Sequence, residues 1–394
     1  MNTIATRQSA GFAAFNDSPK RGIPWYVWAC ALGALCIPVG LYWDISWHET
    51  IGRDTFWTPA HLMIQFAAVL AAIYSSFLIF GTTFSKNQPA QNASVSVFGF
   101  RGPLGAFISA WGGVAMLTSA PFDNWWHDAY GLDVRIISPP HVLLAMGIAA
   151  LMWGAAILVA GEMNRSEGPL RKHLEWLLVA CGGNILILSM LFKLEYTNRI
   201  FMHSGIFYLA VSIGPLLLWN AISIATGRRW AGAIMAAMYT GFFLLCLWIF
   251  PFFPGEPKLG PVYQQVTHFI PLQFPVLILV PAVLLDLLHP RLQALDKWQQ
   301  AAIQGIIFVV TLAAVQWPFG NFLMAPASRN WIFGTNYFFF FLPPTTKQAQ
   351  HLFASWELTS VHFWRNVVFS FVAAILSARI GIVFGNWLRR VQRG

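Results

Sequence analysis

The sequence contains few charged residues and few cysteines, and each shortage excludes a class of protein. Charged side chains make up only 10% of the 394 residues, whereas 57% are hydrophobic. Apolar runs of about 20 residues recur, which is the length that spans a bilayer. The four cysteines form no Cys-x2-Cys motif, which argues against thiolate zinc sites, iron–sulfur sites and a disulfide framework. The sequence therefore predicts a membrane protein whose chemistry does not depend on thiols.

The positive net charge of the chain is also explained by a membrane protein. The net charge is +9, but in a membrane protein Lys and Arg accumulate in the cytoplasmic segments. We therefore expect the lipid bilayer, and not nucleic acid, as the partner of this charge. Residues 1–22 are polar and lack the apolar core of a signal peptide. They are expected to form a cytoplasmic tail.

The predicted fold is all-α, a polytopic integral membrane protein with about ten transmembrane helices. Lys and Arg are more frequent on the side of the N-terminus, which predicts that both termini are cytoplasmic. The membrane is expected to be a bacterial inner membrane, cytoplasmic or intracytoplasmic. We expect residues 23–164 to form one helical half and residues 165–394 a second, with a long outer segment at 319–362. The predicted spans are 24–43, 60–83, 103–121, 141–161, 173–192, 204–226, 230–250, 267–288, 299–318 and 363–387.

Two passages of the first half repeat one pattern of metal-ligating residues. The first is Asp44-x3-His48-x12-His61, and the second is Asp123-x3-His127-x13-His141. We call these sets the first triad (Asp44, His48, His61) and the second triad (Asp123, His127, His141). In each, a Gly follows the first His by four residues, and a Ser/Thr-Pro-x-His unit ends the pattern. The chain has only 15 acidic residues and 10 histidines, so this repetition indicates a shared function.

The spacing suits a metal ion. Residues four apart on a helix lie on one face, so each Asp and the His after it point to one place if the preceding span continues through them. Thr58 and Ser138 are good helix N-caps followed by Pro, and this puts His61 and His141 in the first turn of the returning helix. A set of two imidazoles and one carboxylate suits copper, non-haem iron or zinc. The alternative is that Asp and His cap helices and satisfy each other as scaffold.

Other acidic and basic residues near the triads are candidates to orient the ligands. A residue that accepts the second ring N–H of a ligating His fixes its tautomer and direction. Glu49, Asp54, Asp128 and Asp133 are candidates for this role. Arg53 is expected to neutralise this acidic cluster or to pair with Asp54.

At these residues the chain resembles the C subunit of the copper membrane monooxygenases, the particulate methane and ammonia monooxygenase family. That subunit carries Asp-x3-His-x12-His on adjoining helices and, further along, Asn-x3-His-x13-His. The first triad has the first spacing, and GRDTFWTPAHL is similar to the family's R-D-T-S-F-T-P-S-H segment. The second triad has the second spacing, with Asp123 in place of the usual Asn. The resemblance covers about residues 25–160.

The resemblance implies two copper sites near the outer face of the membrane and oxygen chemistry beside them. It implies that the six triad residues are both metal ligands and catalytic residues, and that a small apolar substrate is oxidised. A carboxylate at Asp123 is expected to bind the metal more firmly than the family's Asn. The family's periplasmic copper and electron-transfer subunit is not encoded in this chain, so partner subunits and an oligomer are expected. Residues 165–394 exceed the length of the family's C subunit.

Two rival functions remain open from the sequence. The first is a membrane protein that binds or delivers copper without catalysis. The second is a structural subunit of a larger membrane oxidase that retains the ligand geometry. The segment 193–203 is expected to form a loop network or to line the site, and the aromatic segment 319–362 is expected to be re-entrant or interfacial.

Overall fold

The computed structural model describes residues 22–52, 57–86, 88–131, 138–258, 266–337, 357 and 359–392. Apolar helices dominate this part of the chain, as the sequence predicts. Nine helical segments there are long and apolar enough to cross a membrane. The helices are α1 (Trp25–Thr50), α2 (Pro59–Thr83), α3 (Gln88–Asn92), α4 (Leu104–Tyr130), α5 (Pro139–Asn164), α6 (Gly168–Leu191), α7 (Leu194–Thr197), α8 (Gly205–Ser212), α9 (Pro215–Thr226), α10 (Ala231–Ile249), α11 (Leu279–Leu292), α12 (Lys297–Met324) and α13 (Ser360–Leu388).

Short elements complete the described part. A two-stranded antiparallel hairpin, β1 (Val95–Val97) and β2 (Phe100–Gly102), precedes α4. Its turn requires positive φ at Phe98 and Gly99. Single 3-10 turns lie at Arg199–Phe201, Phe250–Phe252 and Pro326–Ser328.

The span expected over 267–288 is not a continuous helix, and that prediction is wrong for its first half. The chain has no helix from 266 to 276, and α11 begins only at Leu279. Extended backbone in an apolar protein needs partners for its N–H groups. Side-chain oxygens of Thr50, Tyr42, Tyr239 and Gln316 accept the N–H groups of Ile270, Leu272, Val276 and Leu277 in that order, at 2.8–2.9 Å. These bonds replace the helical ones.

The segment expected as one span over 204–226 is interrupted as well. Helix α8 ends at Ser212, and Gly214, with φ of 102°, is the N-cap of α9. The interruption leaves the Ile213 carbonyl and the Gly214 N–H without helical partners, and a side chain forms a hydrogen bond with each. The Lys193 ammonium donates to the Ile213 carbonyl, and the Gly214 N–H donates to Ser377 Oγ at 3.3 Å.

The chain divides into two compact units that do not follow the order of the sequence. The first comprises residues 1–33, 67–174 and 390–394, and the second comprises 34–66 and 175–389. The predicted domain boundary near residue 164 stays a prediction, as does the orientation of the termini. The second triad belongs to the first unit and the first triad to the second unit.

Close packing of α4 against α5 forms the core of the first unit. Glycines lie where the two backbones meet, because a Cβ on Gly154 would stand 2.6 Å from Ser109 N and one on Gly112 would stand 2.5 Å from Leu151 N. Small residues that allow such an approach are typical of helix pairs in membranes. The second triad lies on the ends of this same helix pair, so its geometry depends on this contact.

The second unit is built around α13, which packs against α8, α9 and α12. Asn220 and Gln304 exchange amide hydrogen bonds of 2.8 and 3.1 Å inside it. Buried amides in an apolar environment are stable when both are paired in this way. The C-terminal half of α1, which carries two residues of the first triad, belongs to this unit.

Candidate metal centres

The first triad forms where α1 ends and α2 begins. Helix α1 continues through Asp44 and His48 to Thr50, so the two side chains share one face, as the sequence predicts. His61 lies in the first turn of α2, which begins at Pro59. Asp44 Oδ1 stands 3.1 Å from His61 Nε2 and 3.9 Å from His48 Nε2. The structure therefore brings the three predicted ligands together.

The second triad repeats this arrangement at the end of α4 and the start of α5. Asp123 Oδ2 lies 3.5 Å from His127 Nε2, and Asp123 Oδ1 lies 3.5 Å from His141 Nε2. The imidazole rings of His127 and His141 are 6.4 Å apart between centroids. In each triad, the possible ligand atoms all lie within 4.8 Å of one another. Both triads are therefore capable of holding a metal ion.

The separations match those of ligands around one ion. At metal–ligand distances of about 2.1 Å, two ligand atoms stand about 3.0 Å apart at a right angle and about 3.4 Å apart at a tetrahedral angle. The separations of 3.1 and 3.5 Å agree with these values. The Asp44–His48 pair, at 3.9 Å, needs to shorten by only about 0.5 Å.

Unsatisfied polar atoms lie at the same positions. Asp44 Oδ1 and Asp123 Oδ1 are both buried. Imidazole nitrogens of the same triads lie 3.1 and 3.5 Å away, but neither oxygen accepts a well-aligned hydrogen bond from the described residues. A buried carboxylate oxygen that lacks a well-aligned donor carries a desolvation cost, of about 1–3 kcal/mol when no partner compensates it at all. A metal ion in contact with the oxygen would offset this cost. The donor set and its missing partners therefore fit a metal better than a pure capping network.

Ser138 orients the last ligand of the second triad. Its hydroxyl lies 2.9 Å from His141 Nδ1 and makes no capping bond to the backbone of α5. The other ring nitrogen, Nε2, thereby faces Asp123. When a metal binds at Nε2, Nδ1 keeps its proton and donates it to the hydroxyl, which fixes the tautomer. The predicted N-cap residue thus acts on the ligand and not on the helix.

Glycines end both ligand-bearing helices and explain one feature of the repeat. Gly52 and Gly131, each four residues after a triad histidine, adopt φ of 95° and 90°. Positive φ is readily available only to glycine. The Gly131 N–H donates to the His127 carbonyl at 2.9 Å. The turn that ends α4 is therefore closed by the backbone of a triad residue.

An extended segment holds the end of α1 in place. Ser46 Oγ donates to the Ile270 carbonyl at 2.6 Å, and Thr50 Oγ1 accepts from the Ile270 N–H at 2.8 Å. Lys258, which precedes this segment in the sequence, donates its N–H to the Ile51 carbonyl at 3.0 Å. These bonds lie between and just after the first two ligands of the first triad, so the broken span supports that site.

Of the residues predicted to orient the ligands or to neutralise the acidic cluster, the structure describes only Glu49 and Asp128. Glu49 is exposed, and Asp128 is exposed and accepts from Asn124 Nδ2 at 3.3 Å. No hydrogen bond among the described residues joins either carboxylate to a triad histidine. Arg53, Asp54 and Asp133 lie outside the described residues, so their predicted role stays a prediction.

Sequence reasoning assigned no role to the tryptophan that precedes the first histidine of each triad. The indole Nε1 atoms of Trp47 and Trp126 are both buried and have no hydrogen-bond partner in the described part of the chain. Trp47 packs on Phe269, with centroids 5.9 Å apart, and Trp126 packs on Tyr130 at 4.4 Å. The repeated Trp-His pair in the sequence was the signal for them. Large aromatic rings thus pack against one another at the helix ends that carry the ligands.

No family model, curated protein or solved structure matches this chain. The assignment of function therefore depends on the triads themselves and on the motif resemblance described above.

Proposed function

We propose that the protein is a copper-binding membrane monooxygenase, or a subunit of one, that oxidises a small apolar substrate with O2. One observation carries the proposal: two triads of identical composition lie at the ends of apolar helices, and in each the possible ligand atoms of one carboxylate and two imidazoles lie within 4.8 Å of one another. The spacing resemblance to the copper monooxygenase C subunit supports copper over iron or zinc.

The ligand chemistry is consistent with this choice. Imidazole and carboxylate ligands suit copper, and three protein ligands leave coordination positions open. Bound copper would supply redox and Lewis-acid chemistry. Asp44 and Asp123 would each balance one positive charge of the ion, and Ser138 would hold the His141 ring in its binding tautomer. The side chain of His48 is 47% exposed, so the first site is open to entering molecules on that side.

The proposed reaction converts an R–H bond to R–OH, with one oxygen atom of O2 in the product and the other in water. Two electrons and two protons are needed, and the proposal assigns the electrons to a partner subunit or to an external reductant. Membrane helices favour an apolar substrate that arrives through the bilayer. The Lys and Arg distribution supports a position of both sites on the periplasmic side.

Copper delivery without catalysis is the main rival, and a specific feature of the structure weakens it. Relays that hand on Cu(I) use clustered methionine sulfurs. The Met235-x-x-Met238 pair in α10 packs instead against α6, because a Cβ on Gly182 or Gly183 would stand 2.5 or 2.6 Å from one of these sulfurs. Met235 is fully buried. The pair therefore serves packing within the second unit.

The test is oxygen-dependent product formation by the full-length protein in lipid nanodiscs. The protein is loaded with copper, and a small alkane, O2 and a chemical reductant are supplied. The proposal predicts hydroxylated product that carries label from 18O2 and that is lost in the His61→Ala/His127→Ala double variant. His173→Ala is the matched control, since His173 is an exposed residue of α6 outside both triads.

Three results would separate the possibilities. Labelled product that depends on both triads supports the monooxygenase. Copper bound by the triads without product, in the presence of O2 and reductant, contradicts catalysis by the isolated chain and leaves delivery or a structural subunit. Absence of bound metal in the wild type contradicts the proposal as a whole.

A further inference from the structure

Arg379 is a charged residue on the same side of the last helix as exposed apolar side chains. It follows Leu376 by three residues and precedes Val383 by four, so the three share one face of α13. Leu376 and Val383 are both exposed, as is typical where a membrane helix meets lipid tails. Arg379 itself is half-buried. A charge on a membrane helix is costly without a partner and commonly marks a functional site.

No group of opposite charge compensates Arg379 within the described part of the chain. None of the ion pairs there includes its guanidinium. Its Nε is buried and has no hydrogen-bond acceptor among the same residues. Asp296, at the start of α12, instead accepts the N–H groups of Trp298 and Gln299 as the helix cap. A buried charged donor without an acceptor is more costly than a neutral one, so this guanidinium requires an anion.

The ring of Trp298 shows at which level of the membrane the guanidinium lies. Arg379 Cζ stands 5.2 Å from the centroid of this ring, a cation–π contact that attracts the cation but does not neutralise it. Trp298 is the second residue of α12 and is 56% exposed. Exposed tryptophans of membrane proteins are enriched at the level of the lipid headgroups. Arg379 is therefore at the height where a lipid carries its phosphate.

The contact between α12 and α13 holds this pair in place and provides an apolar surface next to it. A Cβ on Gly305 would stand 2.9 Å from Ile375 N, so the two backbones meet two turns after Trp298 and one turn before Arg379. Exposed apolar side chains continue from this level along both helices: Ile306 and Val310 on α12, and Val372 and Leu376 on α13. An unpaired cation at the end of an apolar surface suits a ligand with an anionic head and apolar tails.

We propose that Arg379 and Trp298 bind the headgroup of an anionic phospholipid, whose tails lie on the exposed apolar residues of α12 and α13. The phosphate oxygens accept from the guanidinium, which matches them in a bidentate geometry. Basic sites between membrane helices bind anionic headgroups in this way. A zwitterionic headgroup also has a phosphate, but its own cation competes with Arg379, so an anionic lipid is preferred. The proposal does not depend on copper or on oxygen chemistry, because neither residue belongs to a triad.

The experiment counts bound lipids by native mass spectrometry of the metal-free full chain in detergent. Phosphatidylglycerol or phosphatidylcholine with identical acyl chains is titrated into the protein. The wild type is expected to bind a single phosphatidylglycerol more tightly than phosphatidylcholine. Arg379→Gln should weaken the binding of phosphatidylglycerol about tenfold, since a hydrogen bond to a charged group contributes about that factor. Arg379→Lys, which keeps the charge but not the planar fork, should lose less.

Arg365→Gln is the matched control. Arg365 is an exposed arginine beside an exposed tryptophan, Trp364, near the other end of the same helix, and it has no buried nitrogen without a partner. This variant should bind both lipids as the wild type does. An equal loss of phosphatidylglycerol from Arg365→Gln and Arg379→Gln would mean that general surface charge retains the lipid, which overturns the proposal.

A second variant keeps the test valid if Arg379→Gln does not fold, which thermal unfolding reveals. Trp298→Ala removes an exposed ring and should weaken the binding of phosphatidylglycerol about two- to fivefold through loss of the cation–π contact. Equal affinity of the wild type for the two lipids, or unchanged affinity in Trp298→Ala and Arg379→Lys, would overturn the proposal. Displacement of the bound lipid by inorganic phosphate at constant ionic strength would mean that the site takes a free anion, which overturns it equally.

Discussion

Removal of the Ser138 hydroxyl is expected to weaken copper binding at the second triad without unfolding the protein. The hydroxyl lies 2.9 Å from His141 Nδ1 and is the group that fixes the imidazole in the tautomer with Nε2 available to a metal. Loss of such a supporting bond typically lowers metal affinity by about 10–100-fold. This corresponds to about 1.4–2.8 kcal/mol of binding free energy.

The Ser138→Ala variant should lose little stability. This result would distinguish a role of Ser138 in metal binding from a role as the cap of α5. A serine N-cap that bonds the helix backbone contributes about 1 kcal/mol. Ser138 makes no such bond in the structure, so the metal-free Ser138→Ala protein should unfold at nearly the wild-type temperature. A large loss of stability would mean that the residue caps α5 and does not act through His141.

The assay is a copper titration against a competing chelator in the His61→Ala background, where only the second triad remains intact. Ser119→Ala is the matched control. Its hydroxyl is also buried, on the same helix pair, but donates to the Met116 carbonyl at 2.7 Å, so copper affinity should not change. The reasoning is refuted if Ser138→Ala binds copper as tightly as its parent while His141→Ala does not bind it.

Further predictions concern the first triad and the helix contact that carries the second. His61→Ala should reduce copper affinity more than His48→Ala, because His61 is nearer to Asp44 and less exposed; equal losses in a chelator titration would contradict this order. Gly154→Ala should destabilise the protein by about 1–3 kcal/mol through overpacking, since its Cβ would meet the α4 backbone. Gly241→Ala, with open space around the site, should be neutral or stabilising by up to about 1 kcal/mol. Equal thermal unfolding of the two glycine variants would refute the packing argument.

The local geometry of the triads was predictable because it depends on short sequence distances. Helical spacing places Asp44 and His48 on one face, and a Thr-Pro or Ser-Pro start places the third ligand in the first turn of the next helix. The approach of α2 to α1 and of α5 to α4 then completes each set. The repeated pattern is therefore enough to predict which residues come together in each triad, without knowledge of the rest of the fold.

The broken span over 267–288 was not predictable from hydropathy, which records only that its residues are apolar. Its extended conformation depends on acceptors that are distant in sequence, such as Tyr42, Thr50 and Tyr239. One signal was present: Pro271 and Pro275 each remove a backbone N–H from the run and disfavour a helix there. The hydrogen bond between Ser138 and His141 was not predicted either. A hydroxyl at an N-cap position can bond either the helix backbone or a side chain, and the sequence does not show which.

Metal content per chain tests the central claim most directly. Full-length protein purified in its native lipids is analysed by mass spectrometry for copper, iron and zinc, beside the His61→Ala/His127→Ala variant and the His173→Ala control. The account predicts about one copper for each triad, lost in the double variant and kept in the control. Iron or zinc in place of copper would contradict the monooxygenase proposal, and absence of any metal from the wild type would mean that the two triads are capping networks.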